Sequence, residues 1–469
     1  MRNMVARPLT PEADDFKFIS VKGPYSKQGR GVSRLAKSHA TKRGLKAKRL
    51  LEQKANHNFR VAVLGEESNA LVNESRLINP PVLHRSLSAG KIDPFGVLPV
   101  DTSRLQILLG DSRARIASEP VFSTTEELAF QNFYAVFRTG LTDPALSNAV
   151  MFSLLSAVTE GNLDIECLKY KGCAIGCIRD KIACIKGAVS ESTIGAILLL
   201  AGVEAQLGMT SQVVLHMSAV RQLLDISRSD GIYLTGGIKR AIFWQDLNAS
   251  ILSGSDRIVN HNTFSELRWQ RDSFTPSFYR LSPGFDVISH LLSEDFVEIL
   301  EDLHALQCIR NYSSYEKGDP FLMAYINNHT ASIQSRLANF LATPSPILKC
   351  CSTAAYICSI MLCCHPWCAL VIPSFLSSQL LDQLQKVEKD FMGDEYSHLL
   401  LWLLYVGGTF ASPGPVRSTY VKLLRSNIIT RFRGIDNSYS KIFEIMRKFI
   451  WSDFAFFSKA SLLWEEIVV

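Results

Sequence analysis

The sequence predicts an all-α protein: a large multi-helix array preceded by a basic, partly disordered N-terminal arm. Three observations carry this. From about residue 121 onward, apolar residues recur at i, i+3, i+4 and i+7, the period of a helix face. Alternating apolar and polar runs, the mark of half-buried strands, are rare. Charge is segregated: residues 1–60 hold 15 Lys or Arg against 4 Asp or Glu, a balance of +11, which leaves 35 against 40 in the rest. The chain therefore divides into a basic arm (1–60), a connector (61–120) and a helical body (121–469). With 47% hydrophobic and 20% charged residues, the composition excludes a wholly disordered chain.

In the arm, Pro8, Pro11 and Pro24 keep residues 1–30 extended, whereas 31–54 lack Pro and are rich in helix formers. Val32, Leu35, Leu45, Leu50 and Leu51 are too sparse for a continuous apolar stripe, so this helix needs a partner to form. The connector is punctuated by Pro80-Pro81, Pro94, Pro99 and Pro120, with a short extended stretch expected at Phe59–Leu64.

The body opens with Ser123 or Thr124 as a cap and Phe130, Phe133, Tyr134 and Phe137 on one helical face. Helices are expected at Ala145–Val158 and at Leu163–Ile185, the latter with Tyr170, Cys173, Cys177 and Cys184 on its apolar side. Ser190 or Ser192 caps Ile194–Leu207, which is apolar on every side and therefore central. Val213–Ile226 follows. Residues 231–288 break the rhythm with loops around one amphipathic helix, Ile238–Leu252. Phe296, Ile299, Leu300, Leu303 and Leu306 mark the next helix. Later ones are expected at 321–342, 346–364, 374–391, 396–408, 416–431 and 439–452. Cys350 to Leu381 carries no charge, but Pro366, Pro373, His365 and several Ser interrupt it. It reads as two buried helices meeting near His365-Pro366-Trp367 rather than as a membrane span.

The chemistry-bearing patterns are few. No GxGxxG, GxxxxGK[ST], GxSxG, HExxH or CxxC occurs. The eleven Cys begin at Cys167 and lie mostly in apolar runs, as free core thiols in a reducing compartment do. Cys173, Cys177 and Cys184, and Cys363, Cys364, His365 and Cys368, bunch together, but amid apolar residues they read as core rather than as zinc ligands. His216, His290 and His304 read as satisfied, partly buried residues. The stretch Asp256–Arg280, with Arg257, His261, Arg268, Trp269, Arg271 and Asp272, is a polar-aromatic loop. Such loops make specific contacts or simply pack, here through Trp269 and Phe274. An enzyme of terpene-cyclase type would need paired carboxylates on facing helices, and no aspartate-rich helical motif is present. No catalytic residue, cofactor or metal ligand is assigned, no secretory leader is expected after Met1-Arg2-Asn3-Met4, and no membrane partner is expected.

The sharper signal is Lys42, Arg43, Lys46, Lys48 and Arg49, five cations in eight residues. On a helix, 42, 46 and 49 share one face, with 43 beside them. Such a stripe suits the acidic groove of an import receptor or a phosphate backbone.

Several stretches resemble the fungal-specific transcription factor domain proteins. These are Phe16-Lys17-Phe18-Ile19 through Gly23-Pro24-Tyr25-Ser26, Ser38-His39-Ala40 with Lys42-Arg43, and Gly187-Ala188-Val189-Ser190 through Ala196-Ile197-Leu198-Leu199-Leu200-Ala201. Leu215-His216-Met217 and Ala219-Val220 continue the likeness, as does Leu400-Leu401-Trp402-Leu403-Leu404-Tyr405-Val406-Gly407-Gly408. The resemblance implies an all-α regulatory domain, residence in the nucleus and a role in RNA polymerase II transcription, with the transcription machinery or other regulators as partners. Many of these regulators begin with a six-cysteine zinc cluster that reads DNA; here no Cys precedes residue 167. DNA contact is then expected through the basic arm or through a DNA-binding partner. A non-catalytic helical scaffold or protein-interaction protein is the alternative.

Overall fold

A computed structural model describes residues 93, 96–117, 140–183, 189–271, 276–311, 320–362, 371–387, 396–431 and 439–468. All of them belong to one compact unit, Pro81–Val469. The arm with its five cations, the Phe130–Phe137 face, Cys184 and the His365-Pro366-Trp367 turn lie outside the described residues.

The described residues form fourteen α-helices and no strands. They are α1 Thr102–Gly110, α2 Pro144–Val158, α3 Ile165–Ala183, α4 Glu191–Gln206, α5 Thr210–Ser229, α6 Gly236–Ser253 and α7 Glu294–Asn311. The series continues with α8 Pro320–Phe340, α9 Pro346–Leu362, α10 Ile372–Lys386, α11 Ser397–Phe410, α12 Pro415–Arg431, α13 Tyr439–Met446 and α14 Asp453–Val468. Most pack on their neighbours in sequence: α2 on α3, α4 on α5, α7 on α8, α8 on α9, α9 on α10, α10 on α11 and α11 on α12. Helix α6 packs on α4, α8 and α10, and so joins the earlier helices to the later ones around one continuous core.

The helices start where the sequence supplies oxygen acceptors for the free N–H groups of a first turn. Asp143 caps α2 by accepting from Ala145 and Leu146, with Pro144 in the first turn. Its carboxylate also pairs with Lys181 of α3 and accepts from the Ser192 hydroxyl at 2.7 Å, so one side chain ties three helices. Of the two candidate caps before α4, Ser190 takes the role and accepts from Thr193. Thr235 caps α6, and Gly254 ends it in the left-handed conformation at φ 69°.

Helices α2, α4 and α11 are buried on nearly every side, as their largely apolar runs require, and so is α6, expected to be amphipathic, because its Arg240, Gln245, Asp246 and Asn248 are buried along with its apolar residues. In α11, Gly407 lies against Tyr420 of α12; a Cβ there would overlap the Tyr420 ring, whose hydroxyl donates to the Ser377 carbonyl at 2.8 Å. The uncharged run Cys350–Leu381 is two helices, α9 and α10, and no described helix is long and apolar enough to cross a membrane.

Three expectations are corrected. The connector contains α1, whose Leu105, Leu108 and Leu109 are buried against the body. Helix α3 buries Cys167, Ala174 and Ile178, while Cys173 is exposed and Cys177 half-buried, so its core face lies about a quarter-turn from the side expected to hold Tyr170, Cys173, Cys177 and Cys184. Helix α13 stops at Met446, and Asp453–Val468 forms a further helix. The Trp451 indole N–H donates to Asp453 at the turn between them.

Candidate functional site

The polar-aromatic loop folds inward as a strap, residues 255–271, across α6, α7 and α8. At its start the buried Asp246 of α6 accepts from the Ile258 amide at 3.0 Å, the Val259 amide at 3.3 Å and the Arg257 guanidinium at 3.2 Å. Burial pushes the Asp246 carboxyl up, although these three donors pull the other way. Arg257 goes on to the Ser335 hydroxyl of α8 at 2.7 Å and lies over the Phe243 ring. In mid-strap, Arg240 of α6 donates to the Glu266 carbonyl at 2.7 Å and to Asn327 at 2.5 Å. Burial brings Arg240 down to about 10. Asn328 donates to the carbonyls of Glu266 and Arg268 at 3.1 Å each.

The strap ends on an aromatic and charged cluster. Trp269 stacks flat on His329 of α8, ring centroids 4.0 Å apart and planes within 7°. Tyr279 and Tyr325 flank the stack, their hydroxyls 3.1 Å apart. Arg271 donates to Asp302 of α7 at 2.8 Å, and Arg336 of α8 pairs with the other oxygen of the same carboxylate. Glu301 and Glu298 extend the network to the outer sides of Arg271 and Arg336, at 3.0 and 3.3 Å. Burial raises the Asp302 carboxyl against the pull of the two guanidinia.

Several buried polar atoms here make no hydrogen bond: both ring nitrogens of His329, the Trp269 indole nitrogen, His261 Nδ1, Arg257 Nη2 and the Asn328 amide oxygen. Burial, reinforced by Arg336, holds the His329 pKa well below the usual histidine value; the Asp302 backbone carbonyl opposes this from outside hydrogen-bond geometry.

Other chemically suggestive groups are internally committed. Glu204, buried in α4, lies 2.8 Å from Lys171 and 2.9 Å from His216, so the His216 on α5 is one arm of a buried polar triad. His304 and Cys308 are a turn apart on α7, with Nδ1 and Sγ separated by 3.6 Å. That nitrogen is 2.8 Å from the Phe278 carbonyl, so it carries the proton and cannot take one from sulfur; burial also raises the thiol pKa. His290 is exposed on a 3-10 segment rather than partly buried. A groove of about 680 Å³ between α12 and α14 is lined by Arg417, Lys422, Arg425 and Glu466 among others. Arg417 is bound to Glu466, and Arg425 to the last carbonyls of α14. Among the described residues no three His, Cys, Asp or Glu are grouped so as to hold a metal.

Of the loop residues singled out by sequence, Arg257, His261, Trp269 and Arg271 meet in the strap, Arg268 is exposed, and Asp272 and Phe274 lie outside the described residues. Lys42, Arg43, Lys46, Lys48 and Arg49 also lie outside them. Sequence reasoning missed Asp246, Asp302, His329 and Arg336. The i, i+7 spacing of His329 and Arg336 on α8 was the only local sign that those two share a face.

Fold and site together define an all-α helical array bridged by a polar-aromatic strap. No family model, no curated protein and no solved structure matches the chain.

Proposed function

We propose that this protein is a nuclear regulator of RNA polymerase II transcription, without a zinc cluster, in which a non-catalytic helical body receives other regulators and the basic arm carries nuclear entry. The observation that carries the reading is the charge segregation, +11 in residues 1–60 on a chain whose remainder holds more acid than base. The resemblance of the arm and of the α4 and α11 stretches to fungal-specific transcription factor domains supports it. The internal commitment of Asp246, Asp302, Glu204 and the His304–Cys308 pair is consistent with a body that binds partners rather than substrates.

The test replaces Lys42, Arg43, Lys46, Lys48 and Arg49 together with Ala and follows a fluorescent fusion in fungal cells. Nuclear accumulation of the wild type is expected, with loss in the variant; unchanged accumulation refutes the import role. Chromatin occupancy of the tagged protein tests the regulatory role. Nuclear exclusion of the full chain would favour a helical scaffold of another compartment. If the arm contacts DNA backbone directly, log affinity falls with log salt by about 0.9 per phosphate neutralised, with a slope no steeper than about 5.

A further inference from the structure

We propose that the strap of residues 255–271 is an acid-opened latch, released from α8 when His329 takes up a proton while the helices beneath it stay folded. The His329 ring is fully buried, lies flat under Trp269, and makes no hydrogen bond through either nitrogen. Such a ring fits its site only when neutral.

The surroundings offer the imidazolium no free counter-charge. From its own helix, Tyr325 and Arg336 face it; from α7, Asp302 does, with Glu298 and Glu301 behind. From the strap come Trp269 and Arg271, with His261 beside Arg336, and from the following segment Tyr279. From α6, Arg240 is held at Asn327, and from α9 the Tyr356 hydroxyl reaches Gln334. Asp302 is already shared between Arg271 and Arg336. A protonated ring would be a third cation beside a network whose three carboxylates are already paired with Arg271 and Arg336 and none of which hydrogen-bonds the ring, so the proton is taken up by an open form in which water reaches it.

The strap is held by side chains alone, its own Val259, Phe264 and Leu267 in the core and a set of polar ties, so it can lift while the helix backbones stay bonded. Its ties run to Asp246, Ser335, Asn328, Arg240 and Asp302, and Gly254, with its left-handed backbone, marks the point where it leaves α6. The sign follows from linkage. His329 in the closed state binds its proton more weakly than an ordinary histidine, so the open state binds more protons and gains on the closed one as pH falls below about 6.5. One proton allows a rise of at most about tenfold in the opening constant per pH unit.

Hydrogen exchange on the full chain, corrected for the intrinsic pH dependence and measured from pH 7 to 5, reads this directly. The Ile258, Val259 and His261 amides, bonded to Asp246 and Ser335, should open increasingly, approaching tenfold per unit, while α4 and α8 keep their protection. His329→Phe keeps the stack and cannot take a proton; its strap opening should be flat over the same range. A flat wild-type profile, a slope that persists in His329→Phe (placing the proton on His261, which burial also holds below the ordinary histidine value, or elsewhere), or loss of α8 protection in step with the strap overturns the proposal. Should His329→Phe not fold, Trp269→Ala uncovers the ring. In that variant the His329 NMR titration should move up to near 6.5, and a ring that still titrates well below it overturns the proposal equally.

Discussion

Glu204 shows how a single buried charge is kept on an otherwise apolar helix. Thirteen consecutive residues of α4, Thr193–Ala205, are buried, and Glu204 is the one ionised group among them. Burial raises its carboxyl, but the adjacent His216 and Lys171 outweigh that and hold it below the ordinary 4.5. A carboxyl lowered in the folded state contributes stability above pH 4.5 and loses it as pH falls through the lowered value. Glu204→Gln leaves Lys171 without its counter-charge and His216 without its carboxylate partner. Breaking a buried pair this way costs about 3–5 kcal/mol, and somewhat less here because Lys171 keeps partial access to solvent. Unfolding free energies of wild type and variant, from denaturant titrations, should differ by about that amount at pH 7 and converge as the pH falls below 4.5. A gap that stays constant down to pH 3 would show that the carboxylate's charge is not what stabilises the fold.

At the scale of elements, the caps decide where helices begin and which of them touch. Asp143 satisfies the first turn of α2 and, through Lys181 and Ser192, fixes α3 and the start of α4 against it. Its carboxyl is lowered despite burial because Lys181 and Ser192 donate to it. Asp143→Ala removes a cap worth about 1 kcal/mol and a half-buried pair besides, so a loss of about 2 kcal/mol in unfolding free energy is expected. Asp143→Asn, which can still cap, should recover roughly half.

These elements were legible in unequal measure. Helix α4 announced itself by a capping serine, Ser190 or Ser192, and an apolar run; α7 did so by Phe296, Ile299, Leu300, Leu303 and Leu306, all of them buried. Helix α1 was hidden because nine residues between prolines carry too few turns for a period to show. In α3 the cysteines misled: residues four apart lie on the same side of a helix, but Lys171, Ala174 and Ile178 turn inward while Cys173 does not. The strap was visible as a run of Arg, His and Trp, yet its direction was not. What turns it inward is His329, 60 residues beyond Trp269, and Asp302, 31 beyond Arg271, and local pattern carries no information about such pairings.

For the whole molecule, the core extends N-terminal to the helical body that periodicity outlines. Leu105 and Leu108 are fully buried in the same cluster as α2 and α4, and full burial of a leucine contributes about 1.5–3 kcal/mol. A chain beginning at residue 121 should therefore be less stable than one beginning at 93 by at least about 3 kcal/mol, while both give all-helical circular dichroism. Equal melting temperatures would show that α1 is dispensable; two separate transitions in the longer chain would show that the array is not one cooperative unit.

The hook at Trp451-Ser452 bears on how the chain is made. Most helices pack on the one just synthesised, so contacts can form in order behind a ribosome, with little chain to close at each step. Trp451 and Ser452 break that order: the Trp451 amide reaches back to Gln307 across 144 residues, and the Ser452 hydroxyl to Asn311 across 141. The Trp402 indole and the Cys358 thiol both point at the Ile450 carbonyl, which is still unmade when α9 and α11 emerge. Until those last residues arrive, the buried faces of Trp402 and Phe285, on which Phe449 closes, stand open to water. A nascent chain stalled anywhere between α11 and Phe449 is thus helical and still sticky, and its closure waits on a clasp made of four consecutive residues.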